Sequence, residues 1–391
     1  MKKYKKFLAM FIISILMISN TLNIVVFAAS PELEVEAKSA ILIEPSTGKI
    51  IYEKNSHEKF APASVTKIMT LLLTMESIDS GKIKMKDEVV VSENAMKAGK
   101  GGSSSMLLDT GEVRTVEELI KGVAIASGND AAVALAEYLG GSEAAFVKAM
   151  NDRAKQLKMD DTTFKNCHGL SAEGHLTTAY DISLMSRELL KHDSILKYTG
   201  TYMETITEGR LNPIGLVNHN KLVRFYKGCD GLKTGFTNEA KYCISATAIR
   251  DNVRMLTIIM GAPTYKVRNR DASMLMNYGF SQFESTNILE KDAEIEKVLL
   301  NKKGDKFLIA KASENYTAIL ERGKENKIEK NLKIDFSSKE FKQGEKIGVC
   351  EIVIDGDKIG EVDIYSDRDI KTRGILDHLK ENLESLFDKA I

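Results

Sequence analysis

Three short words in this 391-residue chain carry the residue types and spacings that can do chemistry: Ser64-Val65-Thr66-Lys67, Ser127-Gly128-Asn129 and Lys233-Thr234-Gly235. A serine hydroxyl is a weak nucleophile until a base takes its proton. Ser64 falls at the start of an apolar run that reads as a helix, and Lys67 projects from the same face one turn later. Burial on that helix, with Lys233 as a nearby second cation, disfavours the ammonium form and frees the amine to act as a base. The helix N-terminus favours negative charge developing at the carbonyl under attack. Each word alone has a plainer reading: an N-cap serine with a snorkelling lysine, a self-capping turn, an ordinary strand start. Their joint presence in this order points to acyl transfer.

The other residues extend that chemistry. Ser127 offers a hydroxyl for proton relay, and the Asn129 amide can hold a substrate peptide group and orient Lys67. Thr234 can donate to a substrate carboxylate while Lys233 supplies positive charge. Gly235 would let a ligand backbone approach the strand, so that the substrate lies along the edge as an added strand. The backbone N–H groups of Ser64 and Phe236 would then face the developing oxyanion, worth roughly 3–4 kcal/mol per donor.

These words need a scaffold. Ala40–Glu44 and Lys49–Glu53 flank Pro45-Ser46-Thr47-Gly48 and read as a hairpin. The apolar run from Ile68 to Met75 reads as a buried helix, and Thr115–Ala126 as an amphipathic one ending at Ser127. Helices follow at Asp130–Tyr138 and Ser142–Leu157. From Gly231 the period changes to that of strands, with Lys233–Phe236, Tyr242–Ile249 and Val253–Met260 in succession. Strands at both ends of a helical stretch imply an α/β domain over residues 30–282, its antiparallel sheet assembled from both termini. Residues 283–370 carry short alternating runs and read as a small all-β domain. The segment 371–391 repeats apolar residues at helical spacing (Ile375, Leu376, Leu379, Leu383, Leu386). It is an amphipathic helix that lies on a membrane surface or packs on its own β domain.

Residues 1–29 open with Lys2, Lys3, Lys5 and Lys6, continue through an apolar stretch and end in Ala28-Ala29, the pattern of a secretory signal peptide. Its removal turns a formal charge of zero into 51 basic against 55 acidic residues, about −4. That balance gives no reason to expect nucleic-acid binding. Four widely spaced cysteines (Cys167, Cys229, Cys243, Cys350) read as buried thiols, and the absence of an HExxH word argues against a zinc peptidase. No cofactor or metal is expected.

The three words together are those of penicillin-binding proteins and class A β-lactamases. With glycine in the middle of Ser127-Gly128-Asn129, the chain resembles the low-molecular-mass D-alanyl-D-alanine carboxypeptidases. Ala61-Pro62-Ala63-Ser64, Asn166-Cys167-His168-Gly169-Leu170, Thr177-Thr178-Ala179-Tyr180-Asp181 and Asp230-Gly231-Leu232-Lys233 are similar to that group as well. The resemblance spans residues 35–282 and continues through the β domain and tail. It implies a DD-peptidase/β-lactamase-like fold and removal of the terminal D-alanine of peptidoglycan stem peptides through an acyl-enzyme on Ser64. Lys67 would be the base, Ser127 and Asn129 its assistants, and Thr234, Lys233 and Arg268 the carboxylate site. It also implies trapping by β-lactams and a place at the outer face of a bacterial membrane or in its wall. Phe236 and Lys241 depart from the histidine and glycine found in relatives. No Glu-x-x-Leu-Asn word lies between the second and third motifs to supply a β-lactamase's deacylating glutamate. A β-lactamase, or a non-catalytic wall-binding or β-lactam-sensing protein, is the alternative.

Overall fold

The computed structural model describes residues 33–209, 212–300, 306–336 and 340–371. The expected signal peptide and the amphipathic tail beyond residue 371 lie outside them. No described helix is long and apolar enough to cross a membrane.

The catalytic unit is built on a five-stranded antiparallel sheet. Strands β1 (Ser39–Glu44) and β2 (Lys49–Lys54) form the expected hairpin. Far along the chain come β3 (Cys229–Thr237), β4 (Lys241–Arg250) and β5 (Val253–Ala262). The sheet order is β2-β1-β5-β4-β3, so the first strand closes on the last and β3 is left at an edge.

Helices cover both faces, which explains why β1 is buried at every residue and reads as a continuous apolar run. Ile41 and Ile43 point into the large helical core, with α1 (Lys67–Asp79), α2 (Val116–Ala124), α3 (Asn129–Gly140), α4 (Glu143–Gln156) and α5 (Ala179–Leu189). The opposite face carries α6 (Tyr265–Gln282), where Gly279 packs against Met255 and Leu42. The helix starts are locally encoded. Thr115 makes a complete capping box with Glu118, while Ser142, Thr178 and Thr264 each accept a backbone N–H three residues on.

Helix α6 ends at Gln282 and the β domain begins at Phe283. Its main sheet is antiparallel in the order Glu294–Leu299, Phe307–Ala312, Asp357–Ser366, Lys346–Ile354, Ile328–Ile334. A two-stranded pair joins Phe283–Leu289 to Tyr316–Glu321. Alternating residues such as Leu308, Ala310, Ile352 and Ile364 fill a core separate from that of the catalytic unit. All four cysteines are buried free thiols.

Candidate active site

Ser64 lies in a single 3-10 turn, Ala63–Thr66, that leads directly into α1 at Lys67. Sequence spacing places both residues on one helix; the tighter turn instead lifts Ser64 from the helix end while keeping Lys67 beneath it. The turn is held from two sides by glycines. A Cβ on Gly169 would fall 1.8 Å from the Ala63 carbonyl oxygen, and one on Gly235 would fall 3.1 Å from the Ser64 nitrogen. The close approach at Gly235 is therefore made by the protein's own nucleophile turn, not only by a ligand as the sequence suggests.

Lys67 is fully buried, and its Nζ donates to Ser64 Oγ (3.1 Å), Asn129 Oδ1 (2.6 Å) and the His168 carbonyl (2.7 Å). Burial lowers its pKa to about 7, against the opposing pull of Cys167 and Asp130. Lys233 is also pushed well below its ordinary value, by burial first and then by repulsion from Lys67 and Arg268, so the two amines lie close enough to act on one another. Among the described residues the Lys233 Nζ donates to the Thr234 carbonyl alone, at 3.0 Å.

The Ser127-Gly128-Asn129 turn lies between α2 and α3. Ser127 adopts a positive φ of 60°, is 1% exposed, and its Oγ has no hydrogen-bond partner among the described residues. A buried polar atom left unpaired costs free energy, so this hydroxyl is poised for a substrate. Asn129 uses Oδ1 on Lys67 and leaves its amide NH2 unpaired among the described residues. Beneath the turn, the buried Asp130 carboxylate accepts from the Ser105 hydroxyl and from the backbone N–H groups of Met106, Leu108 and Ala131. It thereby fixes the loop 102–105 against the cleft, and the Asn129 N–H donates to the Ser104 carbonyl in the same loop.

These elements enclose a cleft of about 500 Å³. Ser64, Ser127, Asn129, Thr234, Gly235, Phe236 and Arg268 all line it, while Lys67 and Lys233 lie buried within its wall. Arg268 reaches the cleft; Arg270 turns to the surface and pairs with Glu36 and Asp271. Burial lowers Arg268 to about 10, so it stays cationic at neutral pH. Phe236 is half exposed and stacks on Tyr242, ring centroids 4.4 Å apart. Among the described residues no carboxylate lines the cleft. A bidentate Arg254–Asp230 pair and Asn220, which donates to the Gly231 carbonyl, pin the strand leading to Lys233. Among the described residues no cluster of ligating side chains could hold a metal.

Sequence reasoning missed the loop 102–104, His219, Asn238 and Tyr242 as cleft residues. The Gly101-Gly102-Ser103-Ser104 run was a readable loop signal. Nothing local to the others marked them.

Comparison with known proteins agrees with this geometry. Residues 25–264 match the D-alanyl-D-alanine carboxypeptidase family, and residues 283–372 match the C-terminal domain of penicillin-binding protein 5. The chain is 45% identical over 354 residues to the D-alanyl-D-alanine carboxypeptidase DacF of Bacillus subtilis, covering 90% of each chain. Among solved structures, a peptidoglycan synthesis regulatory factor (PBP3) from Streptococcus pneumoniae superposes with a TM-score of 0.72 at 26% identity, covering 86% of this chain and 99% of the other. Penicillin-binding protein D2 from Listeria monocytogenes, solved with ampicillin bound, covers 64% of this chain and 100% of its own, with a TM-score of 0.57 at 32% identity. The family model over residues 25–264 and the 45% identity across 90% of both chains settle the kinship: this chain belongs to the D-alanyl-D-alanine carboxypeptidase family.

Proposed function

We propose that the protein removes the terminal D-alanine from peptidoglycan stem peptides through an ester on Ser64. The observation that carries this reading is the 3.1 Å contact between Lys67 Nζ and Ser64 Oγ, made by a fully buried amine whose pKa is lowered to about 7. The substrate carboxylate lies against Thr234, with Lys233 and Arg268 supplying positive charge, and the Asn129 NH2 holds a peptide carbonyl. Neutral Lys67 takes the Ser64 proton as Oγ attacks the penultimate D-alanine carbonyl. The N–H groups of Ser64 and Phe236 receive the oxyanion. The proton on Lys67 then passes through the Ser127 hydroxyl to the amine of the departing D-alanine, which leaves both Lys67 and Ser127 as they began. Water, deprotonated by Lys67, then cleaves the ester and restores Ser64.

The same cleft accounts for inhibition by β-lactams. Ser64 attacks the β-lactam carbonyl in the same way and the ring C–N bond opens, but the amine stays tethered to the acyl group and shields the ester from water; among the described residues no carboxylate lines the cleft as a second base. A β-lactamase reading is disfavoured on that ground, and intact Ser64, Lys67 and Lys233 speak against a non-catalytic protein. The basic, apolar start of the chain supports export. The 371–391 segment supports attachment to the outer face of the membrane, its four basic and four acidic residues leaving apolar burial as the driving force. Release of D-alanine from a stem-pentapeptide analogue tests the activity: wild type should release it, and Ser64→Ala should not. Equal release by both would remove Ser64 from the reaction.

A further inference from the structure

We propose that His219 is a recognition residue for the substrate's terminal carboxylate, presenting a ring N–H beside Thr234 and Arg268. The inference rests on the carboxypeptidase reading of the Ser64 cleft. His219 lines that cleft together with Thr234 and Arg268, although no motif includes it.

The residues on either side of His219 exist to hold its backbone. Asn218 and Asn220 are 2% and 1% exposed. The Asn218 NH2 donates to the carbonyls of Thr199 and Thr201, and its Oδ1 accepts from the Asn220 N–H. Asn220 in turn donates to the Gly231 carbonyl and accepts from the Leu222 N–H. Two buried amides with this many backbone bonds fix the segment, and the residue between them is the one left open to the cleft. Neither ring nitrogen of His219 has a protein partner among the described residues.

The surroundings select an anion. Lys233 from β3, Lys67 from α1, Arg268 from α6 and Lys221 from its own segment all act on the ring, and Tyr242 from β4 is the other titratable group lining the cleft. No carboxylate faces it. Partial desolvation against the cleft wall, and then these cations, lower the His219 pKa to about 4, so the imidazole is neutral at pH 7 and carries one N–H donor. An arriving carboxylate reverses the local field and raises that pKa. Protons are then taken up on binding as pH falls below the bound-state value, and affinity for the carboxylate increases toward acid pH.

The test is steady-state release of D-alanine from a stem-pentapeptide analogue by the full chain, comparing wild type, His219→Leu and His219→Gln. A hydrogen bond to a charged group is worth a factor of about ten or more. The leucine variant should therefore raise KM about tenfold with kcat little changed, and glutamine, which keeps an N–H donor, should restore most of it. Between pH 7 and 5.5 the KM of wild type should fall, and that of His219→Gln should not. An unchanged KM in His219→Leu, or a loss confined to kcat, overturns the proposal. Should melting curves show that the leucine variant does not fold, the glutamine pH profile decides, and a profile parallel to wild type overturns it. Absence of D-alanine release by wild type itself would instead sink the carboxypeptidase reading.

Discussion

In the proposed reaction Lys67 sets the chemistry, because only its neutral form could accept the Ser64 proton. Burial lowers its pKa to about 7, so the acylation rate should rise with pH through that value and fall about tenfold per unit below it. Stopped-flow acylation by a fluorescent penicillin between pH 5.5 and 9 reads this directly; a flat profile below pH 7 would mean that another group is the base. Lys67→Ala should lower the acylation rate by about 10²–10⁴-fold, with a fold intact by circular dichroism. Ser64 and Lys67 were legible in sequence because a spacing of three fixes their relation, whereas Asn129 was legible only through its own motif. Burial of Lys67 was expected from its apolar helix, but its completeness depends on the whole helical core and no local pattern measures it.

Among the elements, the nucleophile turn is held by backbone packing more than by side chains. Gly169 has φ +92°, and its missing Cβ leaves room for the Ala63 carbonyl. Gly169→Ala should displace that turn, slowing penicillin acylation by at least tenfold while also lowering the melting temperature. An unchanged acylation rate would show that the turn is set elsewhere. Asp130 plays the matching part for the loop 102–105. Its replacement by alanine strands buried donors at a cost of about 2–4 kcal/mol, to be measured by denaturant unfolding. Elements with strong local signals were readable: the β1–β2 hairpin, the capped helices and the β4–β5 hairpin. Helix α6 and the strands Phe283–Leu289 and Glu294–Leu299 were not. Helix α6 carries the charged Arg268 and Asp271 on its buried face, so its period is set by partners from distant strands, not by its own composition.

At the scale of the molecule, two separate cores divide catalysis from whatever the β domain does. The solved Listeria chain is matched over its whole length by 64% of this chain, and the separate cores predict that the unit carrying Ser64 folds without the β domain. A chain ending at Gln282 should therefore be acylated by penicillin within about threefold of the full-length rate; a larger loss would make the β domain part of the active enzyme. Truncation at Thr372 should release the protein from membrane fractions, and unchanged fractionation would count against attachment by the tail. The order of the domains was legible because three motifs and a change of period mark it. The cleft's far wall was not, since His219, Asn238 and Tyr242 meet only through the folding of β3, β4 and the segment before them. The most direct test of the whole account is mass spectrometry of the penicillin adduct with peptide mapping. The account predicts the added mass on Ser64, lasting long enough to isolate and absent in Ser64→Ala. An adduct on another residue, or one that forms equally without the Ser64 hydroxyl, would contradict it.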